Sequence, residues 1–94
     1  MLLLVTYDVS TVSPEGPRRL RRVAQACKDY GQRVQKSVFE CKVGASQWVL
    51  LRSRLLQEVN LNEDSLRFYF LEENTRIEHH GCGTAVNMEG PLIV

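Results

Sequence analysis

The sequence predicts a two-layer α+β sandwich, with one sheet covered on a single face by two helices. Three observations carry this reading. Leu2 to Val9 and Leu66 to Leu71 alternate in the manner of strands. Arg18 to Tyr30 and Ala45 to Val59 carry apolar residues at helical spacing. The order of strand, helix, extended stretch, helix and strand fits into 94 residues, the length of one domain.

In the first strand, Leu3, Val5, Tyr7 and Val9 point one way and Leu2, Leu4, Thr6 and Asp8 the other. Both faces begin apolar. Two helices cover only one face, so the second implies burial against another copy of the chain. Ser10 to Pro17 is a loop in which Ser13-Pro14 or Gly16-Pro17 supplies the N-cap and first helical residue. In the helix that follows, Leu20, Val23, Ala24, Cys27 and Tyr30 form a buried stripe, opposite Arg18, Arg21, Arg22 and Gln25. Gly31 is expected to stop this helix in the left-handed conformation.

Gln32 to Val43 is extended, but its alternation slips: Val34 and Val38 share one parity, and Phe39, Cys41 and Val43 the other. A bend or bulge near Lys36-Ser37 accounts for this, either between two short strands or within one bent strand. Gly44 opens the second helix, whose buried stripe is Trp48, Leu51, Leu55 and Val59, with Leu56 beside it. After a polar turn at Asn60 to Ser65, the last strong strand places Leu66, Phe68 and Phe70 on one face and Arg67, Tyr69 and Leu71 on the other. A short strand is expected near Arg76 to His80. Beyond Pro91, the apolar end Leu92-Ile93-Val94 is expected to add a strand to its own sheet or a neighbour's. The expected division is a domain over residues 1–80 and an extension over 81–94.

Composition narrows the function classes. With 44 % hydrophobic and 24 % charged residues the chain is of ordinary globular type. No apolar run approaches the ~18 residues of a membrane span, and Leu2 to Val5 lacks the charged lead of a secretory signal, so a cytoplasmic location without membrane contact is expected. Cys27, Cys41 and Cys82 are odd in number and have no Cys-x-x-Cys spacing, which argues against a disulfide scaffold or a thiolate zinc site. The net charge is only +1, but residues 1–36 hold seven Lys/Arg against three acids, and the remainder five against eight. The basic part attracts anionic partners.

Four blocks identify a family: Leu4-Val5-Thr6-Tyr7-Asp8-Val9, the arginine helix Arg18 to Arg22, the run Asp29 to Cys41, and Leu66-Arg67-Phe68-Tyr69. Together they resemble the second family of CRISPR-associated proteins, in the branch that accompanies type I-C loci, and Gln32-Arg33-Val34-Gln35-Lys36-Ser37-Val38-Phe39-Glu40 is the specific string. The resemblance implies a ferredoxin-like fold of order βαββαβ with a short C-terminal strand, and a homodimer formed by sheet-to-sheet packing with exchange of C-terminal strands. It further implies a subunit that binds duplex DNA and bridges the CRISPR integrase subunits during spacer acquisition. Some members resemble metal-dependent endonucleases acting on double-stranded DNA or on single-stranded RNA. Members usually carry basic residues after the last strong strand, where this chain has the acidic Glu72-Glu73.

The candidate chemistry follows from these blocks. By residue type alone, Asp8 suits a turn or cap before a flexible loop. Under the resemblance it faces its symmetry mate across the dimer axis and is the candidate catalytic and metal-binding residue, two copies sharing one Mg²⁺ or Mn²⁺. Ser10 and Thr11 are candidates for orienting a water there. Arg18, Arg19, Arg21 and Arg22 are candidates for nucleic-acid phosphates, because guanidinium groups make bidentate contacts with them. His79, His80 and Cys82 lie close together but match no standard zinc spacing. Phe39, Phe68, Tyr69 and Phe70 are expected in the core or a dimer interface rather than stacked on bases. The competing functions are an RNA-cleaving toxin-like interferase and a non-catalytic regulatory dimer that binds a small ligand.

Overall fold

The computed structural model describes residues 1–82. Its elements are β1 (Leu2–Asp8), α1 (Gly16–Tyr30), β2 (Gly31–Gln35), β3 (Val38–Lys42), α2 (Ala45–Glu58) and β4 (Ser65–Leu71). The four strands form one antiparallel sheet in the order β2-β3-β1-β4, the ferredoxin-like βαββαβ arrangement. The expected extension over 81–94, with its exchanged strand, lies outside the described residues apart from Gly81 and Cys82. No helix among the described residues is long and apolar enough to cross a membrane.

Strand alternation decides which side chains meet the helices. Leu3, Val5, Tyr7 and Val9 are buried, as are Phe39, Cys41 and Val43 at the matching parity. Val23, Ala26 and Cys27 of α1 and Leu51 and Leu55 of α2, with Val59 just after it, close the core from above. Tyr7 and Phe39 stack with ring centres 6.2 Å apart. At the other end, Trp48 meets Phe68 and Phe70 edge to face at 4.8 and 5.2 Å, so these two aromatic residues of β4 pack against α2. Leu20, Ala24 and Tyr30 only flank this core, and Ala26, absent from the expected stripe, is fully buried in it.

Several local expectations are corrected. Helix α1 starts at Gly16 with Pro17 next, where a missing N–H leaves no bond unmade, and Glu15 rather than Ser13 or Gly16 holds the N-cap position. Gly31 is not left-handed but extended (φ −160°, ψ −161°), the first residue of β2. Its small size answers a close approach: a Cβ there would overlap the Cys41 sulfur and the Glu40 carbonyl. The stretch from Gln32 to Val43 resolves into two strands joined at Lys36-Ser37, and a register shift between Arg33 and Gln35 produces the parity slip. Among the described residues none other than glycine has positive φ, so this tight turn is not of the mirror-image kind, and the bulge beside it absorbs the mismatch in twist. The strand expected at Arg76–His80 is not formed. That segment has no ladder partner among the described residues, and its alternation instead pairs Arg76 with Glu78 and Glu78 with His80.

Candidate functional site

Asp8 is the last residue of β1, opposite Ser65 of β4, with its side chain exposed. It ends a row on the sheet face away from the helices. Along β1 that row is Leu2, Leu4 and Thr6; across β4 it continues through Leu71, Tyr69 and Arg67, and across β3 through Lys42, Glu40 and Val38. No helix among the described residues covers this face, yet Leu2, Leu4, Val38 and Leu71 are half-buried rather than solvated outright. Arg67 Nη1 donates to the Tyr69 hydroxyl at 3.2 Å, which lays the guanidinium along the face.

Behind Asp8 the chain is held by a buried ionic knot that residue patterns did not reveal. The Asp64 carboxylate has no solvent access. It accepts hydrogen bonds from Arg19 Nε at 3.0 Å and Nη2 at 3.3 Å, from the Ser10 N–H at 3.0 Å and from the Asn60 N–H at 2.8 Å. Burial by itself would raise its pKa, but the Arg19 guanidinium and the two main-chain donors outweigh this and hold it below the ordinary carboxylate value. Arg19 also gives Nη2 to the Ser10 carbonyl at 3.4 Å. The knot thus joins the loop after β1, helix α1 and the turn before β4. Its sequence signal was confined to the acid closing the Asn60–Asp64 turn, 45 positions from its arginine.

The four candidate arginines therefore separate. Arg18, Arg21 and Arg22 are exposed on α1, and Arg22 lies 3.7 Å from Glu58. Arg19 is only 14 % exposed and is committed to Asp64. Ser10 is likewise engaged through its main chain, and its hydroxyl accepts the Val12 N–H at 3.4 Å, while Thr11 is exposed.

A cleft of about 620 Å³ opens between α1 and the β2–β3 turn, with Asp8 in its lining. Lys28, Arg33 and Lys36 join Arg21 around it, three cations that were not among the candidate site residues. The guanidinium of Arg33 lies over the Phe39 ring at 5.0 Å. Tyr7 in the floor has its pKa raised, chiefly by burial, and its hydroxyl donates to the Lys36 carbonyl at 3.3 Å.

As a metal site, one chain offers little. Among the described residues no three His, Cys, Asp or Glu side chains cluster around a common point, so Asp8 needs a carboxylate from elsewhere to hold a divalent ion. His79 and His80 are exposed and bond to the Gly81 carbonyl and to Glu78 at 2.8 and 2.6 Å, not to one another's ligand set. Cys27 and Cys41 are buried thiols whose pKa values burial pushes up to about 12 and about 11, which makes them inert packing groups.

Comparison with known proteins places this architecture. Residues 1–78 match the model of the family described as CRISPR associated protein Cas2. Over its whole length the chain is 58 % identical to the whole of a protein of Chlorobaculum tepidum named CRISPR-associated endoribonuclease Cas2. It is 50 % identical, over 99 % of each chain, to one of Halalkalibacterium halodurans named CRISPR-associated endonuclease Cas2. The crystal structure of Streptococcus pyogenes Cas2 at pH 6.5 superposes with a TM-score of 0.75 and 52 % identity, covering 86 % of this chain and 100 % of that one. The βαββαβ sheet agrees with these similarities, and the chain belongs to the CRISPR-associated Cas2 family.

Proposed function

We propose that this chain works as a homodimer in CRISPR spacer acquisition, binding duplex DNA and bridging the integrase subunits, with divalent-metal-dependent cleavage of phosphodiesters at Asp8. One observation carries the reading: Asp8 stands at the end of an uncovered sheet face whose Leu2, Leu4, Val38, Tyr69 and Leu71 are too apolar for a surface meant to stay in water. Packing two such faces about a twofold axis removes that area from solvent and brings two Asp8 carboxylates toward the same axis. Two adjacent carboxylates repel, and a shared Mg²⁺ or Mn²⁺ relieves the repulsion. Such an ion, when bound, polarises a phosphate oxygen and lowers the pKa of a coordinated water.

The protein's own side chains supply the rest. Arg18, Arg21 and Arg22, doubled by the twofold, form the exposed cationic stripe that tracks a phosphate backbone without reading sequence. The Asp64 knot fixes the loop that leaves Asp8. The names borne by the relatives from Chlorobaculum tepidum and Halalkalibacterium halodurans support nuclease chemistry.

The test uses purified protein with labelled duplex DNA and single-stranded RNA, each with Mg²⁺, with Mn²⁺ and with EDTA. Cleavage that requires metal and is lost in Asp8→Asn, with dimer and fold intact, supports the assignment. Equal cleavage by wild type and variant refutes it. For the bridging role, the integrase subunit encoded beside this protein is expected to be retained by it more strongly when a short duplex is present. No retention under either condition removes that role.

A further inference from the structure

The cleft between α1 and the β2–β3 turn is lined by residues of a single chain. Arg21 and Lys28 enter it two turns apart on α1, Arg33 from β2 and Lys36 from the turn, and the one acidic residue lining it is Asp8. None of these four cations has a carboxylate within 4.0 Å among the described residues, whereas Arg19, Arg22 and Arg54 each have one. Unpaired like charges around one concavity repel each other. Leu20, Ala24 and Val9 make part of the wall apolar, which focuses the field of the cations into the opening. Arg33 is steadied over the Phe39 ring, and the turn that carries Lys36 is tied to β1 by the Tyr7 hydroxyl.

The shape of this charge differs from that of the arginine stripe. A phosphodiester strand presents single charges along a line and suits Arg18 and Arg22 on the open flank of α1. Cations converging from a helix, a strand and a turn suit a group that gathers several negative charges on one or a few phosphorus centres. We propose that the cleft is a binding site for compact phosphates bearing two or more negative charges, supplied either as the terminal phosphate of a strand or as a free polyphosphate.

Titration calorimetry at low salt with sodium tripolyphosphate tests this. Wild type is expected to bind saturably. The Lys28→Gln/Lys36→Gln double variant is expected to bind at least tenfold more weakly, and Lys28→Arg/Lys36→Arg to retain binding. A control with the same loss of charge outside the cleft and the arginine stripe, Arg52→Gln/Arg76→Gln, is expected to change affinity less than twofold. Absence of saturable binding, or equal weakening by the control pair, overturns the proposal and leaves only diffuse attraction. Displacement by a 5′-phosphorylated DNA 12-mer distinctly better than by its 5′-hydroxyl twin identifies the strand end as the source. Equal displacement by the two, with tripolyphosphate binding intact, identifies free polyphosphate.

Discussion

Truncating Asp64 probes the knot that holds the Asp8 loop. In Asp64→Ala, Arg19 loses two hydrogen bonds, and the main-chain donors of Ser10 and Asn60 are left without their carboxylate. Breaking a buried ion pair from one side costs about 3–5 kcal/mol. Arg19 keeps Glu63 at 3.5 Å and the Ser10 carbonyl at 3.4 Å, so the expected loss is nearer about 2–4 kcal/mol, a large share of a small domain's stability. At roughly 4–8 °C per kcal/mol for a domain of this size, the melting point should fall by about 8–32 °C. Urea unfolding followed by the fluorescence of Trp48, the single tryptophan, reads this directly at a fixed protein concentration. Glu78→Gln, at an exposed pair, should shift stability by less than about 0.5 kcal/mol. If Asp64→Ala behaved like Glu78→Gln, the knot would contribute nothing and its role in fixing the Asp8 loop would be refuted. The pH dependence has a definite sign. The folded Asp64 pKa is depressed, so its stabilisation is present above about pH 4, the unfolded value, and disappears as pH falls through the folded one. Wild type and Asp64→Asn should therefore converge in stability on acidification.

Three further outcomes are expected. A thiol reagent should label one cysteine, the exposed Cys82, in the native protein and all three in denaturant; rapid native labelling of Cys27 or Cys41 would contradict their burial. Gly31→Val should lose about 1–3 kcal/mol because its side chain has to displace β3 at Cys41, and a variant as stable as wild type in urea would contradict the close approach. Replacing Arg22 by Gln should lower the slope of log binding constant against log salt by about 2 in a dimer, since each phosphate contact contributes about 0.9; an unchanged slope would take Arg22 off the DNA track.

How far the residues spoke for themselves varied with the kind of interaction. Helix α2 and strand β4 were legible because their side chains meet the core at a fixed period, and Leu51, Leu55 and Phe68 follow it. The β2–β3 hairpin was half-legible: the parity slip announced an irregularity, but only the pairing of Arg33 with Phe39 and Gln35 with Val38 shows it to be a bulge beside a turn. Gly31 misled because glycine answers two needs, positive φ and lack of volume, and sequence does not say which. Arg76 to His80 imitated a strand in its alternation while having no neighbour to pair with among the described residues. The site divided in the same way. Asp8 and the stripe of Arg18, Arg21 and Arg22 lie within short, readable segments. The commitment of Arg19 to Asp64, and the meeting of Lys28, Arg33 and Lys36 around one cleft, depend on chain crossings that no local pattern encodes.

Sedimentation equilibrium of wild type and of a Leu4→Glu/Tyr69→Glu variant tests the twofold on which the proposed chemistry depends. Both substitutions lie on the uncovered sheet face, so the helix-side core should be unaffected and the Trp48 signal unchanged. Wild type is expected to sediment at twice the chain mass of 10.8 kDa and the variant at that mass. A wild-type protein that remains a single chain at tens of micromolar, or a variant that still pairs, would contradict the account.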